Sequence, residues 1–448
     1  MKSPGSRAAL RRRLQPSWLN SSLEWLFLVR IMRSASQGFL AIIIPLYIAM
    51  LGYDALHLGI LFTAASIASV ALTALTGVLS DRFGRKTFLI LISLLTAGGG
   101  LAFAISTNFV VLVLAAAIGT IGRGGGAGSG GNWGPFYPAE QALIAEHSGV
   151  FERTKVFGAL SFVGVLAGAV GSLFAWLPQL LSAASGASQL SGYRVLFILT
   201  AVFGVAMAAA VLPVDESHSY VSPSSSGPTP QTPFRLGLSP ASWRMVWRFM
   251  VANLIQGFGI GMLGPIIVYW FYRVYGVGAG ALANLFFLIN LAAALPYLMA
   301  GRLEYSLGSV RAVAITRLIA SVLLVAMVAM PTFFLAALFY TMRMIAATLS
   351  VPIAQSYLMG VIDPAERASA AGISSVPWQV GSSAGPYLAG YLMQYAAFDL
   401  PLELSAAAGA LSAVLYHVFF RNIRPPEEFE EIDESQEATA AQPKGRIG

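Results

Sequence analysis

The chain has 448 residues, 56% of them hydrophobic and only 10% charged, with a formal net charge of +7 and a mean hydropathy of +0.71; a soluble protein carries about 25% charged residues, so that class is excluded. No cysteine is present, which excludes disulfides, thiolate metal sites and thiol catalysis, and four scattered histidines (His57, His147, His218 and His417) offer no metal-ligand spacing. The basic residues lie at the edges of apolar runs instead of forming a patch, which argues against a nucleic-acid partner.

In chain order, Met1–Arg13 is basic and precedes an apolar run, as a secretory signal would. The run extends from Trp25 to Met50, too long for a signal core, and no small-residue cleavage site follows, so it reads as a retained first span. Asn20-Ser21-Ser22 spells a glycosylation sequon, expected on the cytoplasmic side and unused. Apolar runs follow near 57–80, 86–106, 109–131, 156–178, 193–213, 246–272, 277–300, 312–330, 332–357, 370–395 and 402–420. Each is near the ~20 residues a helix needs to cross ~30 Å of hydrocarbon. The expectation is an all-α membrane protein with twelve spans, the ninth and tenth separated at Met330-Pro331.

Arginine and lysine orient these spans. Arg7, Arg11, Arg12 and Arg13 precede span 1; Arg82, Arg85 and Lys86 join spans 2 and 3; Arg153 and Lys155 join 4 and 5; Arg302 and Arg311 join 8 and 9. Arg367 lies between 10 and 11, and Arg421 and Arg424 follow span 12. All fall on one side, so both termini are expected in the cytoplasm. Residues 1–23 form a basic N-terminus, 24–213 a six-helix bundle, 214–245 a Pro/Ser-rich linker without a core of its own, 246–421 a second six-helix bundle and 422–448 an acidic tail.

The turn between spans 2 and 3 reads Gly77-Val-Leu-Ser-Asp81-Arg82-Phe-Gly84-Arg85-Lys86. Its glycines are expected to let helices approach closely, Asp81 to accept hydrogen bonds from a helix N-terminus, and its basic residues to hold the turn in the cytoplasm. The stretch resembles the helix 2–3 loop motif of the major facilitator superfamily, G-x-L-x-D-R-x-G-R-[KR]. Gly381-x-x-x-Gly385-Pro386 resembles the superfamily's G-x-x-x-G-P element, and Val351-Pro-Ile-Ala-Gln-Ser-Tyr through Gly390 looks most like prokaryotic permeases of that superfamily. The resemblance covers nearly the whole chain. It implies two pseudo-symmetric six-helix bundles, alternating access, a substrate bound between them, and a motif loop clamping the cytoplasmic side through Asp81 and Arg85.

The halves repeat one another. Gly301-Arg-Leu-Glu304-Tyr-Ser-Leu-Gly308 echoes Gly77 to Gly84, Arg343 echoes Arg123, Glu366-Arg367 echoes Glu152-Arg153 and Gly385 echoes Gly168, at offsets of 224, 220, 214 and 217 residues. Transporters use such repeats to rock two similar bundles about a site. The second loop has Tyr305 where the first has Asp81. Gly126-Ala-Gly128-Ser-Gly130-Gly131 matches a dinucleotide fingerprint but lacks the strand and helix that give it meaning. No phosphate loop, metal box or catalytic constellation occurs, so neither an enzyme nor any cofactor is expected. Gly164, Gly168 and Gly171, like Gly381 and Gly385, read as helix-packing positions.

Ionisable residues inside spans carry the information about cargo, since each costs about 2.5–3.5 kcal/mol at a helix centre. Arg343 sits about 18 Å from the outer end of its span at 1.5 Å per residue, and is read as an anion-facing group. Arg123 resembles the span 4 arginine of the superfamily's R-x-x-x-G motif, with Ala127 in place of its glycine. Arg30 and Arg33 lie a turn or two inside span 1, where they either snorkel to the interface or face a site. Gln37, Asn253, Gln256, Asn290 and Gln379 are polar at similar depths, as candidate substrate contacts or interhelical glue. Glu24, Asp54, Glu140 and Glu304 are all read at span edges, leaving no deep carboxylate, though a pair such as Arg123 with Glu140 is one route to coupling.

These readings converge on a monomeric, multi-pass permease in the plasma membrane of a prokaryote. Its partners are the lipid bilayer, a small-molecule substrate, with an organic anion favoured, and a proton or counter-anion as coupling ion. The alternative is an exporter of hydrophobic drugs, suggested by Pro45-Leu-Tyr47 and a Met-rich interior.

Overall fold

The computed structural model of the chain describes residues 20–119, 121, 134–148, 153–186, 188–216, 239–293, 295–363 and 366–423. Among these every regular element is helical. The basic N-terminus, the fingerprint glycines, most of the Pro/Ser-rich linker and the acidic tail lie outside the described residues.

Span 1 is α1 (Ser21–Met50), which starts where the Asn20 side chain accepts the Leu23 N–H at 2.8 Å. The same side chain donates to the His147 carbonyl at 2.9 Å, so the sequon asparagine serves as a helix cap. Spans 2 and 3 are α2 (Ala55–Phe83), capped by Asp54 through the His57 N–H, and α3 (Arg85–Ile105). Span 4 departs from expectation: it is made of α4 (Phe109–Ile118) and, beyond the glycine-rich segment, α5 (Phe136–His147). The apolar-run reading ended this span at 131 and left α5 in a connecting loop. Phe136, Ala139, Leu143 and Ile144 recur at helical spacing and are buried with Leu23, Leu26 and Val29 of α1, so α5 belongs to the core.

Span 5 continues from α6 (Arg153–Leu173) through the 3₁₀ turn Phe174–Trp176 into α7 (Leu177–Ser185), and span 6 is α8 (Gln189–Val211). Span 7 comprises α9 (Pro240–Leu263) and α10 (Ile267–Tyr275), interrupted at Gly264-Pro265, where proline removes a backbone donor. Span 8 comprises α11 (Ala279–Ala292) and α12 (Leu295–Leu307). Spans 9 to 12 are α13 (Ser309–Val328), α14 (Phe333–Val361), α15 (Arg367–Tyr395) and α16 (Leu400–Phe420), with Pro331 between α13 and α14 as expected. Nine helical stretches among the described residues are long and apolar enough to cross a membrane by themselves. The crossings outside that set are the two-piece spans 4 and 8 and the serine-rich α15, which completes twelve.

The helices gather into two compact units that do not follow chain order. The first holds residues 1–221 and 265–291; the second holds 222–264 and 292–448. Within the first, α10 packs on α1, and Trp176 Nε1 donates to Asn284 Oδ1 at 3.0 Å, tying the end of span 5 to α11. The second has its own core around Val246, Phe249, Tyr357, Tyr416 and Phe420.

Each unit is built on a seam where backbones touch. A Cβ on Gly171 would run into the backbone of Ala35, and one on Gly38 into that of Gly168, so α1 and α6 meet with no side chain between them. In the second unit the same holds for Gly257 against Trp378, and for Gly381 and Gly385 against the backbone of α9. The motif glycines behave differently. A Cβ at Gly77 or Gly301 would meet nothing within 4 Å, contrary to the expected close approach, whereas Gly84 and Gly308 hold φ of +94° and +75° at the turns into α3 and α13. Gly171→Ala is therefore expected to destabilise the purified protein by about 1–3 kcal/mol through overpacking, read as a lowered Tm in detergent. Gly158→Ala, also on α6 but with nothing within 4 Å, is expected to leave Tm unchanged.

Candidate functional site

At the turn from α2 to α3 the expected acceptor, Asp81, has a side chain outside those described. The first turn of α3 is instead held by Glu216, beyond the end of α8, whose carboxylate accepts from the Arg85 N–H at 2.6 Å and the Lys86 N–H at 3.4 Å. Gly84 supplies no side chain to cap this helix, and an acid at its positive end fills that role. Lys86 Nζ donates to the Leu212 carbonyl at 2.6 Å and Arg85 pairs with Glu146 at 3.6 Å, while Arg82 is exposed. In the second half, Glu304 accepts from the Ser309 hydroxyl at 2.8 Å. At the start of α9 the cap is Ser239, whose Oγ accepts from the Ser242 N–H at 3.3 Å, and Glu366 supports it by accepting from Ser239 N–H at 2.9 Å and Ser239 Oγ at 3.1 Å. Hydrogen bonds from the Ser242 side chain and from Ser239 hold the Glu366 carboxyl below the ordinary glutamate range.

In the first unit, Arg30 and Arg33 do not snorkel. Arg30 is fully buried and Arg33 is 7% exposed. Both face Glu140 of α5, Arg30 Nη1 at 3.3 Å and Arg33 Nη1 at 3.7 Å. Glu140, read from sequence at a span edge, is itself fully buried: a carboxylate does lie inside the helical core, paired with span 1. Arg123, its expected partner, lies outside the described residues. The three groups carry one net positive charge, and Arg33 also stacks over the Phe136 ring at 4.9 Å. On its other side Arg33 lines a small cavity with Ser36, Gln37, Thr96, Gly134 and Phe136. Ser36 Oγ and Gln37 Oε1 are buried there without a hydrogen-bond partner.

The second unit holds a small cavity lined by Gln256, Arg317, Ser321, Arg343 and Ser405, among others. Arg343 is 8% and Arg317 6% exposed. Arg317 donates to Ser412 Oγ at 2.8 Å and lies over the Tyr416 ring at 5.2 Å. Arg343 donates to Met344 Sδ at 3.2 Å, a weak acceptor, and lies 5.8 Å from the Tyr340 ring centroid. Neither forms an ion pair among the described residues, and Nε of each, like Gln256 Oε1, is buried without a partner. Two guanidinium charges thus share one low-dielectric cavity with no carboxylate among the described residues paired to them.

The structure brings Arg33 together with Gln37, and Arg343 with Gln256. Asn290 belongs to the first unit, near Gly168, and donates to the Phe286 carbonyl at 2.8 Å. Asn253 and Gln379 line neither cavity. Arg317 escaped the sequence reading although it lies within the apolar run 312–330, and that position was the available signal. A second signal was the repeated tripeptide Gln37-Gly38-Phe39 and Gln256-Gly257-Phe258, offset by 219 residues, within the range of the other repeats. Each glycine sits on a backbone seam and each glutamine beside it lines a cavity.

Twelve apolar crossings, backbone-contact seams and buried cations around small cavities define a helical membrane transporter. The sequence model of the Major Facilitator Superfamily matches residues 26–253 and 249–445, and the chain belongs to that superfamily. An uncharacterized membrane protein of Saccharomyces cerevisiae is 20% identical over 81% of this chain and 85% of its own length. The quinolone resistance protein NorA of Staphylococcus aureus is 28% identical over 126 residues, 28% of this chain and 30% of NorA. Among solved structures, a bacterial homolog of the human lysosomal transporter Spinster, inward-facing and occupied, superposes with a TM-score of 0.68 at 15% identity, covering 90% of this chain and 96% of that one. The nucleoside transporter NupG gives 0.67 at 14% identity over 90% and 99%. The fold and family are those of transporters, not enzymes.

Two outcomes follow from the charges. Glu140→Gln removes the buried carboxylate that both guanidiniums face and is expected to cost about 3–5 kcal/mol; Arg30→Gln in that background is expected to restore part of the loss in Tm, because one buried positive charge is removed beside the other. The Glu366 cap, its carboxyl held below the ordinary value of 4.5, contributes fully above that pH and fades as pH falls through the lower folded value. The Tm difference between wild type and Glu366→Ala is therefore expected to shrink on acidification below pH 4.5, measured across a pH series.

Proposed function

We propose that this chain is a secondary active transporter of a small organic anion, working by alternating access, with both termini on the cytoplasmic side of a prokaryotic plasma membrane. The observation that carries this reading is the cavity of the second unit, where Arg317 and Arg343 are buried with no carboxylate partner among the described residues. An anion entering such a site gains charge-assisted hydrogen bonds and removes the cost of unpaired buried cations. Arg33 places a guanidinium beside Gln37 on the cavity of the first unit as well.

The NorA match supports a second reading, export of hydrophobic compounds, over the 126 residues it covers. The element that suggested it from sequence is engaged elsewhere: Tyr47 is fully buried, its hydroxyl donates to the Phe103 carbonyl at 3.2 Å, and its ring packs edge-on against Phe197. In proteoliposomes, Arg343→Gln and Arg317→Gln are each expected to reduce uptake of organic anions at least tenfold. Undiminished uptake in both variants would discard the anion carrier, and energy-dependent efflux of hydrophobic dyes by wild type would favour the drug exporter.

A further inference from the structure

We infer that the cargo carries a hydroxyl beside its anionic group, as a small hydroxylated oxyanion. This rests on the anion reading and names its substrate class. Both cavities pair arginine with the glutamine of the repeated Gln-Gly-Phe element: Arg33 with Gln37 in the first unit, and Arg317 and Arg343 with Gln256 in the second. Arginine has donors and no acceptor, so it calls for an anion. The glutamine carbonyl oxygens ask for the opposite partner. Gln37 Oε1 and Gln256 Oε1 are buried without a hydrogen bond, and a buried acceptor left unpaired is costly, so each requires an N–H or O–H from whatever fills the cavity. A plain carboxylate satisfies the arginines and leaves the glutamines unmet.

The charge around the cavity decides between the two kinds of donor. An ammonium group would sit beside Arg317 and Arg343 with no carboxylate among the described residues to offset three positive charges. A hydroxyl donates without adding charge.

The test uses purified full-length protein in detergent, titrated with four compounds and read by thermal stabilisation, which reports binding through mass action. Lactate is compared with propionate, and 2-hydroxyethyl phosphate with ethyl phosphate; the pairs differ in the hydroxyl and in the carboxylate or phosphate head. The expected result is a preference of about tenfold or more for the hydroxylated member of at least one pair. Gln256→Leu is expected to bring that ratio toward one, and retention of the full ratio in both Gln256→Leu and Gln37→Leu would overturn the assignment to these glutamines. Equal affinity within both pairs would overturn the inference while leaving an anion carrier standing. No response to any of the four would overturn the anion reading itself.

Discussion

Helix backbones in direct contact fix where everything else in this molecule lies. In a bilayer the hydrocarbon tails are as apolar as the side chains, so burial gives helices little reason to associate, and close van der Waals packing must hold them. The glycines of α1 and α6, and of α9 and α15, permit that contact by having no side chain at the crossing. Once Gly38 and Gly257 are committed to the seams, the residue before each is carried to the seam's flank. Gln37 and Gln256 occupy those positions, and both line cavities. Packing and polarity are thus set by one tripeptide used twice.

Charge divides the two units. The first buries two arginines and one glutamate, so most of its cost is met internally, by pairing α1 with α5. The second buries Arg317 and Arg343 around a cavity with hydroxyls, a thioether and aromatic faces as their partners. Such contacts lessen the desolvation cost without cancelling the charge. One unit therefore holds an ion cluster with its carboxylate inside it, and the other holds two buried guanidiniums in contact with neutral groups.

Helix ends show a second economy of design. Where the turn into α3 requires a left-handed glycine, no side chain remains at that position to cap the helix, and a carboxylate from a distant segment takes over. Glu216 does this for α3, and Glu366 reinforces Ser239 at the start of α9. Both acids lie outside the spans, where water and charge are tolerated, yet each ties together segments more than a hundred residues apart.

Much of this was legible in the residues. The spacing of apolar runs, the punctuation at Met330-Pro331, the loop motif and the internal repeats are local or periodic properties, and they determined the twelve spans and the family; the left-handed backbone of Gly84 and Gly308 was not read from them. Depth and partnership were not legible. Glu140 looked peripheral because the glycine-rich segment ended the apolar run early, and only the packing of α5 on α1 brings it to Arg30 and Arg33. Arg317 could be seen to lie within an apolar run, but only the packing of α13, α14 and α16 shows that it shares a cavity with Arg343. Asn290 lies in the second half of the sequence yet clusters with the first half. Hydropathy is summed along one segment, whereas the cost of a buried charge depends on which groups other segments bring within a few ångströms, and that is settled by tertiary packing alone.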